Sequence, residues 1–184
     1  MHTTVQPARS GHTRVRLLSK AAVQFIDITD EVRHVVSRLG VHTGVVHVQT
    51  LHTTTALVVN EHEPLLLDDF SDLFARLAPR DHAYAHDDPT RRSVNLVPDE
   101  RVNGHAHCRA LLLAPSVSLN IGDGCLVLGE WQRVFFVEFD GPRLRELSVV
   151  VLGEPSAVEE PMPVRRRTGT MVVMPRQAAT ARRP

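Results

Sequence analysis

The sequence predicts one globular domain built of both strands and helices, with irregular segments at its two ends. Three observations carry that prediction. Runs rich in β-branched and aromatic residues recur along the chain, from VVHVQTL to VFFVEF. Two stretches place apolar residues at helical spacing, and Gly122–Asp123–Gly124 supplies the turn of a hairpin. A length of 184 residues at 42% hydrophobic content suits a single modest core.

Residues 1–13 are polar, with Pro7 and Gly11, and read as a loose leader. Arg14–Leu18 and Val23–Ile28 read as short strands. Thr29 is an expected N-cap, with Asp30 and Glu31 in a first turn where the helix dipole favours anions. Val32, Val35, Val36 and Leu39 follow at helical spacing and Gly40 stops the helix, which is expected over 30–39. Gly44 opens a strand in which Val46, Val48 and Thr50 alternate with Val45, His47 and Gln49, and LHTTTALVVNE should stay extended through Val59. Pro64 suits the first turn of a second helix, with Leu66, Phe70, Leu73, Phe74 and Leu77 as its apolar face and Pro79 as its end.

Residues 79–103 have little apolar periodicity, and a loop of that length is functional or disordered as a rule. A short helix is expected over 105–113, then strands near 115–121, 125–130, 132–139 and 144–152. From Gly153 the chain turns rich in Pro and Arg, with Met171–Met174 too short an apolar patch to build a core. Residues 153–184 hold six Arg and three Glu, so the segment carries +3 against −3 for the remainder, and it reads as a disordered tail.

Composition narrows the function classes. Net charge is zero and the pI near 7.2, so no global field draws the protein to nucleic acid or to an anionic membrane. No apolar run approaches the roughly 20 residues of a membrane helix, and the N-terminus lacks the apolar stretch of a secretory signal. Cys108 and Cys125 form no CxxC pair and read as small buried apolar residues with free thiols. Together these predict a soluble cytoplasmic protein. Neither a P-loop, a GxGxxG nor a nucleophile elbow is present, which disfavours nucleotide-cofactor binding and serine catalysis.

Chemistry therefore has to come from imidazole, carboxylate and guanidinium. Of eleven histidines, His52, His86, His105 and His107 stand out, since imidazole both moves protons near neutral pH and ligates metals. His105 and His107 would share a face on a strand but diverge at a helix start. The acidic set is Glu61, Asp68, Asp87, Asp88, Glu100, Glu138 and Asp140. Glu138 follows a hydrophobic strand and needs a partner, for which Arg143 is the expected bidentate cation. The bland reading of that pair is a salt bridge closing the last hairpin. Asn60–Glu61 would on the same footing be a helix cap, and Trp131 a core residue.

Taken in order, His52-Thr53-Thr54-Thr55-Ala56-Leu57 through Asn60-Glu61, Tyr84-Ala85-His86, Asn103-Gly104-His105-Ala106-His107, Leu128-Gly129-Glu130-Trp131-Gln132 and Glu138-Phe139-Asp140-Gly141-Pro142-Arg143 resemble the YjbQ-like family, whose members are often labelled secondary thiamine-phosphate synthases. The resemblance covers roughly residues 14–152. It implies a compact α+β domain in which antiparallel, β-sandwich-like sheets pack with a few helices, and a homotrimer with polar pockets at or near subunit contacts. The implied activity joins an aminopyrimidine methyl diphosphate to a thiazole phosphate with loss of pyrophosphate.

Carried over by position, His52, His86, His107, Glu61, Glu138 and Asp140 are the expected catalytic groups, and Asn60, Asn103, Gln132 and Arg143 the expected substrate contacts. Glu130 stands where Thr is expected before Trp-Gln, and it changes the local charge. Loss of pyrophosphate builds negative charge that Arg143 and protonated histidines would stabilise directly. Alternatively His52, His86 and His107 would hold a divalent metal such as Zn, or carboxylates would bind Mg through the substrate phosphates. Two other functions use the same residues: a non-catalytic trimer that binds a metal or metabolite, and metal-assisted hydrolysis of a phosphorylated metabolite.

Overall fold

The computed structural model describes residues 8–156, so residues 1–7 of the leader expected over 1–13 and residues 157–184 of the tail expected over 153–184 lie outside the described residues. Eight strands and three helices follow in the order β1 (Arg9–Leu18), β2 (Gln24–Asp27), α1 (Thr29–Leu39), β3 (Val41–Thr50), β4 (Thr55–Glu61), α2 (Pro64–Leu77), α3 (Gly104–Leu111), β5 (Ser116–Gly122), β6 (Cys125–Leu126), β7 (Gln132–Glu138) and β8 (Leu144–Pro155). The fold is α+β with wholly antiparallel strand pairing. A five-stranded sheet runs β1-β8-β3-β5-β6, and a three-stranded sheet runs β2-β7-β4.

The organising strand is β7. A strand whose neighbouring residues are all apolar has to be covered on both faces. Its Val134 and Phe136 face a core made with α1 and the five-stranded sheet, through Val32, Val36, Val46, Val48 and Val149. Phe135 and Val137 face a second core, with Phe74 of α2 and Ala106 of α3. The layers are therefore the large sheet with α1, the small sheet, and then the helices α2 and α3.

Local signals explain most boundaries. Gly40 ends α1 in the left-handed conformation at φ 60°, which glycine adopts without a Cβ penalty. The N-terminus of α1 differs from expectation: Thr29 is already its first residue, and no side chain caps the helix from Ile28. Thr29 instead spends its hydroxyl on Asp27 and accepts the backbone N–H of Val134, which ties the helix start to β7. For α2 the cap is Glu63, whose carboxylate accepts from the backbone N–H of Leu65 and Leu66, and not the expected Asn60–Glu61, which still belongs to β4.

Several other expectations need correction. The first strand begins at Arg9, because ladder partners on β8 extend from Leu144 to Gly153. The expected strand over 125–130 shrinks to Cys125–Leu126, since pairing with β5 ends after two residue pairs. Leu73 and Leu77 stay exposed on α2, where Leu67, Phe70 and Phe74 form the covered face. Both cysteines are exposed, and so is Trp131, on the turn before β7. Among the described residues, no helix is long and apolar enough to cross a membrane.

Candidate functional site

Four separate segments converge on one cleft of about 490 Å³. The turn after β3 brings His52 and Thr54, the long connection after α2 brings His86, Arg92 and Glu100, the start of α3 brings Asn103 and His107, and the segment joining β7 to β8, with the first residues of β8, brings Asp140, Arg143 and Arg145. An adjoining hollow of about 360 Å³ shares His86, Arg92 and Glu100. The long connection is ordered by polar contacts in place of a core: Asp88 caps a turn by accepting from Thr90, and Arg92 pairs with Glu100.

The floor is a buried ion pair. Arg145 donates to Glu138 through Nε at 2.6 Å, and its terminal nitrogen reaches both Glu138 and Thr54 Oγ1. Glu138 is fully buried, and it also accepts from the backbone N–H of Asp140 and from the Ser19 hydroxyl. Burial alone would raise its pKa, but Arg145 and these donors hold it below the usual carboxylate range. The expected partner, Arg143, is taken by Asp140 at 2.8 Å. Chain direction explains the swap. Arg145 shares the inward parity of Leu147, Val149 and Val151 on β8, whereas Arg143 precedes the strand and points at the turn.

Asp87 organises the opposite wall. Its Oδ1 accepts the backbone N–H groups of Asn103 and Gly104 at the start of α3, and the Nδ1 of His86 at 3.2 Å. One carboxylate from a distant 3-10 turn (Ala85–Asp87) thus caps the helix and orients the histidine. Burial pushes its pKa up, and these hydrogen bonds more than reverse that. Gly104 is required here, since a Cβ would sit 2.5 Å from the Tyr84 side chain and 3.0 Å from Asp87 Oδ2.

The histidines are held differently. His52 accepts the backbone N–H of Glu146 at its Nε2, at 2.9 Å. Its pKa is lowered by burial and then by the Arg145 charge. His107 packs against His86 with ring centroids 4.7 Å apart and the rings tilted by 43°, and its pKa is lowered by burial and then by that neighbour. His105, two residues earlier on the same helix, turns away to lie buried near Tyr84 with its Nδ1 unpartnered. Asn103 donates to Asp140 at 3.1 Å and leaves its own Oδ1 buried without a partner.

Of the residues expected from sequence, His52, His86, His107, Asn103, Asp140 and Arg143 line the cleft, and Glu138 lies beneath it. Asn60, Glu61 and Gln132 do not. Glu138 pairs with Thr55 at one end of β4 and Gln132 with Glu61 at the other, which puts the two ends about 20 Å apart at the strand rise. There Glu61, Glu130 and Trp131 border a separate hollow of about 550 Å³. Sequence reasoning missed Arg145, Arg92 and Thr54 as site residues. The signal for Arg145 was available: a cation at an inward position of an otherwise apolar strand.

The expected three-histidine metal set does not assemble. Among the described residues, no group of three or more His, Cys, Asp and Glu side chains is placed to hold a metal ion. His52 commits its Nε2 lone pair to a backbone N–H, which leaves the neutral ring no lone pair for a metal, whereas the contact of His86 Nδ1 with Asp87 leaves Nε2 of that ring open.

Against known proteins, the family model described as "UPF0047 protein YjbQ-like" matches residues 13–154. A UPF0047 protein of Archaeoglobus fulgidus is 42% identical over 130 residues, spanning 71% of this chain and 92% of its own length. One from Methanothermobacter thermautotrophicus is 35% identical over 139 residues, 76% of this chain and 90% of its own. Among solved structures, a YbjQ-like protein of unknown function from Sulfolobus solfataricus superposes with a TM-score of 0.71 at 30% identity, covering 80% of this chain and all of its own. A hypothetical protein of Aeropyrum pernix gives 0.68 at 33% identity, over 78% of this chain and 99% of its own.

Proposed function

The chain belongs to the YjbQ-like UPF0047 family, and from that premise we propose that its histidine cleft transforms a phosphorylated small metabolite, with thiamine-phosphate synthesis as the specific reaction. The observation that carries this reading is the convergence of His52, His86, His107 and Arg143 on a single cleft whose volume suits a small molecule. Arg92, Arg143 and Arg145 are all salt-bridged, so the lining keeps its guanidinium groups in fixed places without a large excess of positive charge. A diphosphate leaving group would meet N–H donors set in position before it arrives, the condition under which such donors stabilise developing charge. Imidazole side chains are suited to carrying protons at ordinary pH.

The test is incubation of the purified protein with an aminopyrimidine methyl diphosphate and a thiazole phosphate, with thiamine phosphate and pyrophosphate both measured. Product should form in wild type and fall at least tenfold in His107→Ala, with circular dichroism unchanged. Wild-type protein that forms no product, or a His107→Ala variant with full turnover, defeats the proposal.

A further inference from the structure

We propose that His52 and His86 carry their proton on the same ring atom but present opposite chemistry to the cleft: His52 a fixed N–H donor for a phosphate oxygen, and His86 a lone pair that takes a proton from the substrate, with Asp87 as its positioning residue. This rests on the cleft being the substrate site, not on the identity of the substrate.

The assignment follows from the partners. A backbone N–H only donates, so Nε2 of His52 must carry the lone pair, and in the neutral ring the proton sits on Nδ1. Asp87 already accepts two backbone N–H groups on the same oxygen, so it is an acceptor and Nδ1 of His86 must donate to it. That leaves the lone pair of His86 on Nε2. Both rings are thus Nδ1-protonated. Each uses one nitrogen to anchor itself and has the other to offer: N–H from His52, lone pair from His86. Among the described residues, the buried side-chain atoms lacking a partner are Asn103 Oδ1 and His105 Nδ1, so neither of the two offered nitrogens is sealed inside the protein. Both residues line the same cleft.

The arrangement fits a substrate with an acidic N–H conjugated to a carbon that bears a diphosphate, as in the aminopyrimidine of the proposed reaction. The N–H proton passes to Nε2 of His86, and the bond pair stays on the substrate nitrogen. That pair shifts through the ring towards the exocyclic carbon and breaks its bond to oxygen, whose electrons leave with the diphosphate. The His86 imidazolium is then balanced by the Asp87 carboxylate. When a nucleophilic nitrogen adds to the exocyclic carbon, the pair returns and the amino nitrogen recovers its proton from His86. Asp87 does not touch the substrate. It sets which nitrogen of His86 is free.

Nitrogen-15 NMR of the histidine rings in the full chain tests this without needing turnover, so failure of thiamine-phosphate synthesis would leave the result readable. Resonances are assigned with His52→Asn and His86→Asn, and inorganic pyrophosphate is the probe. Both rings should show a protonated Nδ1 and an unprotonated Nε2 near neutral pH, and pyrophosphate should move the Nδ1 signal of His52. Asp87→Asn keeps an oxygen for the helix N–H groups but removes the charge, so His86 should drift towards the Nε2-protonated form while His52 holds. An Nε2-protonated His52 or His86 in wild type overturns the proposal. So does a His52 Nδ1 signal indifferent to pyrophosphate, or a His86 unaffected by Asp87→Asn.

Discussion

Replacing Arg145 with Met should invert the pH dependence contributed by Glu138. In the wild type this carboxyl is held below its ordinary range, so it contributes stability above the ordinary carboxylate pKa that is lost as pH falls through the lowered folded value. Without the guanidinium, only the Asp140 N–H and the Ser19 hydroxyl remain against complete burial, and the pKa rises above that of the unfolded chain. The variant then loses stability as pH rises through that folded value. Removing one member of a buried pair costs about 3–5 kcal/mol, a large share of a domain's total stability of about 5–15 kcal/mol.

Urea unfolding followed by circular dichroism at about pH 8 and about pH 5.5 measures it. The deficit against wild type should be greatest at the higher pH and shrink at the lower. Adding Glu138→Gln to the variant should recover most of it, because no charge is then left stranded and the amide still accepts from Asp140. A deficit below about 1 kcal/mol at about pH 8, equal at both pH values, would refute the reasoning, since an exposed pair behaves that way.

Two further outcomes follow from contacts outside the cleft floor. Burial would raise the Asp27 pKa, but Thr29, Arg133 and His62 hold it at about 2 against an ordinary 3.8, a difference worth about 2 kcal/mol, so Asp27→Asn should lower stability by that order at neutral pH and cost progressively less as pH drops towards the folded value; an equal loss at about pH 2 would exclude this linkage. Gly104→Ala should destabilise by about 1–3 kcal/mol through its clash with Tyr84, and it should impair turnover by moving Asp87 off His86; unchanged melting and activity would show that the loop yields freely.

Where local chemistry decides, the sequence was legible. Gly40, Pro64 and the valines of β3 act through backbone conformation and alternation, and their elements lie where those signals point. His52, His86, His107 and Asp140, which belong to separate motifs, line one cleft. What could not be read depends on partners distant in the chain. Asp87 caps a helix seventeen residues later and fixes the proton of His86 in the same act, which no short-range pattern encodes. Glu138 takes Arg145 over Arg143 because strand parity, not proximity, decides which cation turns inward. Trp131, read as core from its size alone, stands in solvent because the strand it precedes is already filled on both faces by Val134 to Val137.

That doubly covered strand also has a kinetic meaning. The helical layer and the large sheet pack on opposite faces of the small sheet, so detaching the large sheet exposes Phe136 to water and detaching the helices exposes Phe135. Opening either layer strips one whole face of β7 of its apolar cover, which disfavours intermediates and favours melting of the domain as a unit. Amide protons of β4 and β7 should exchange with solvent at one common, slowest rate set by global unfolding. Those of the connection over 79–103, bound by surface polar contacts, should exchange orders of magnitude sooner. The cleft thus lies on a seam, with its proton-handling wall on the readily opened part of the molecule and its ion-paired floor on the part that opens last.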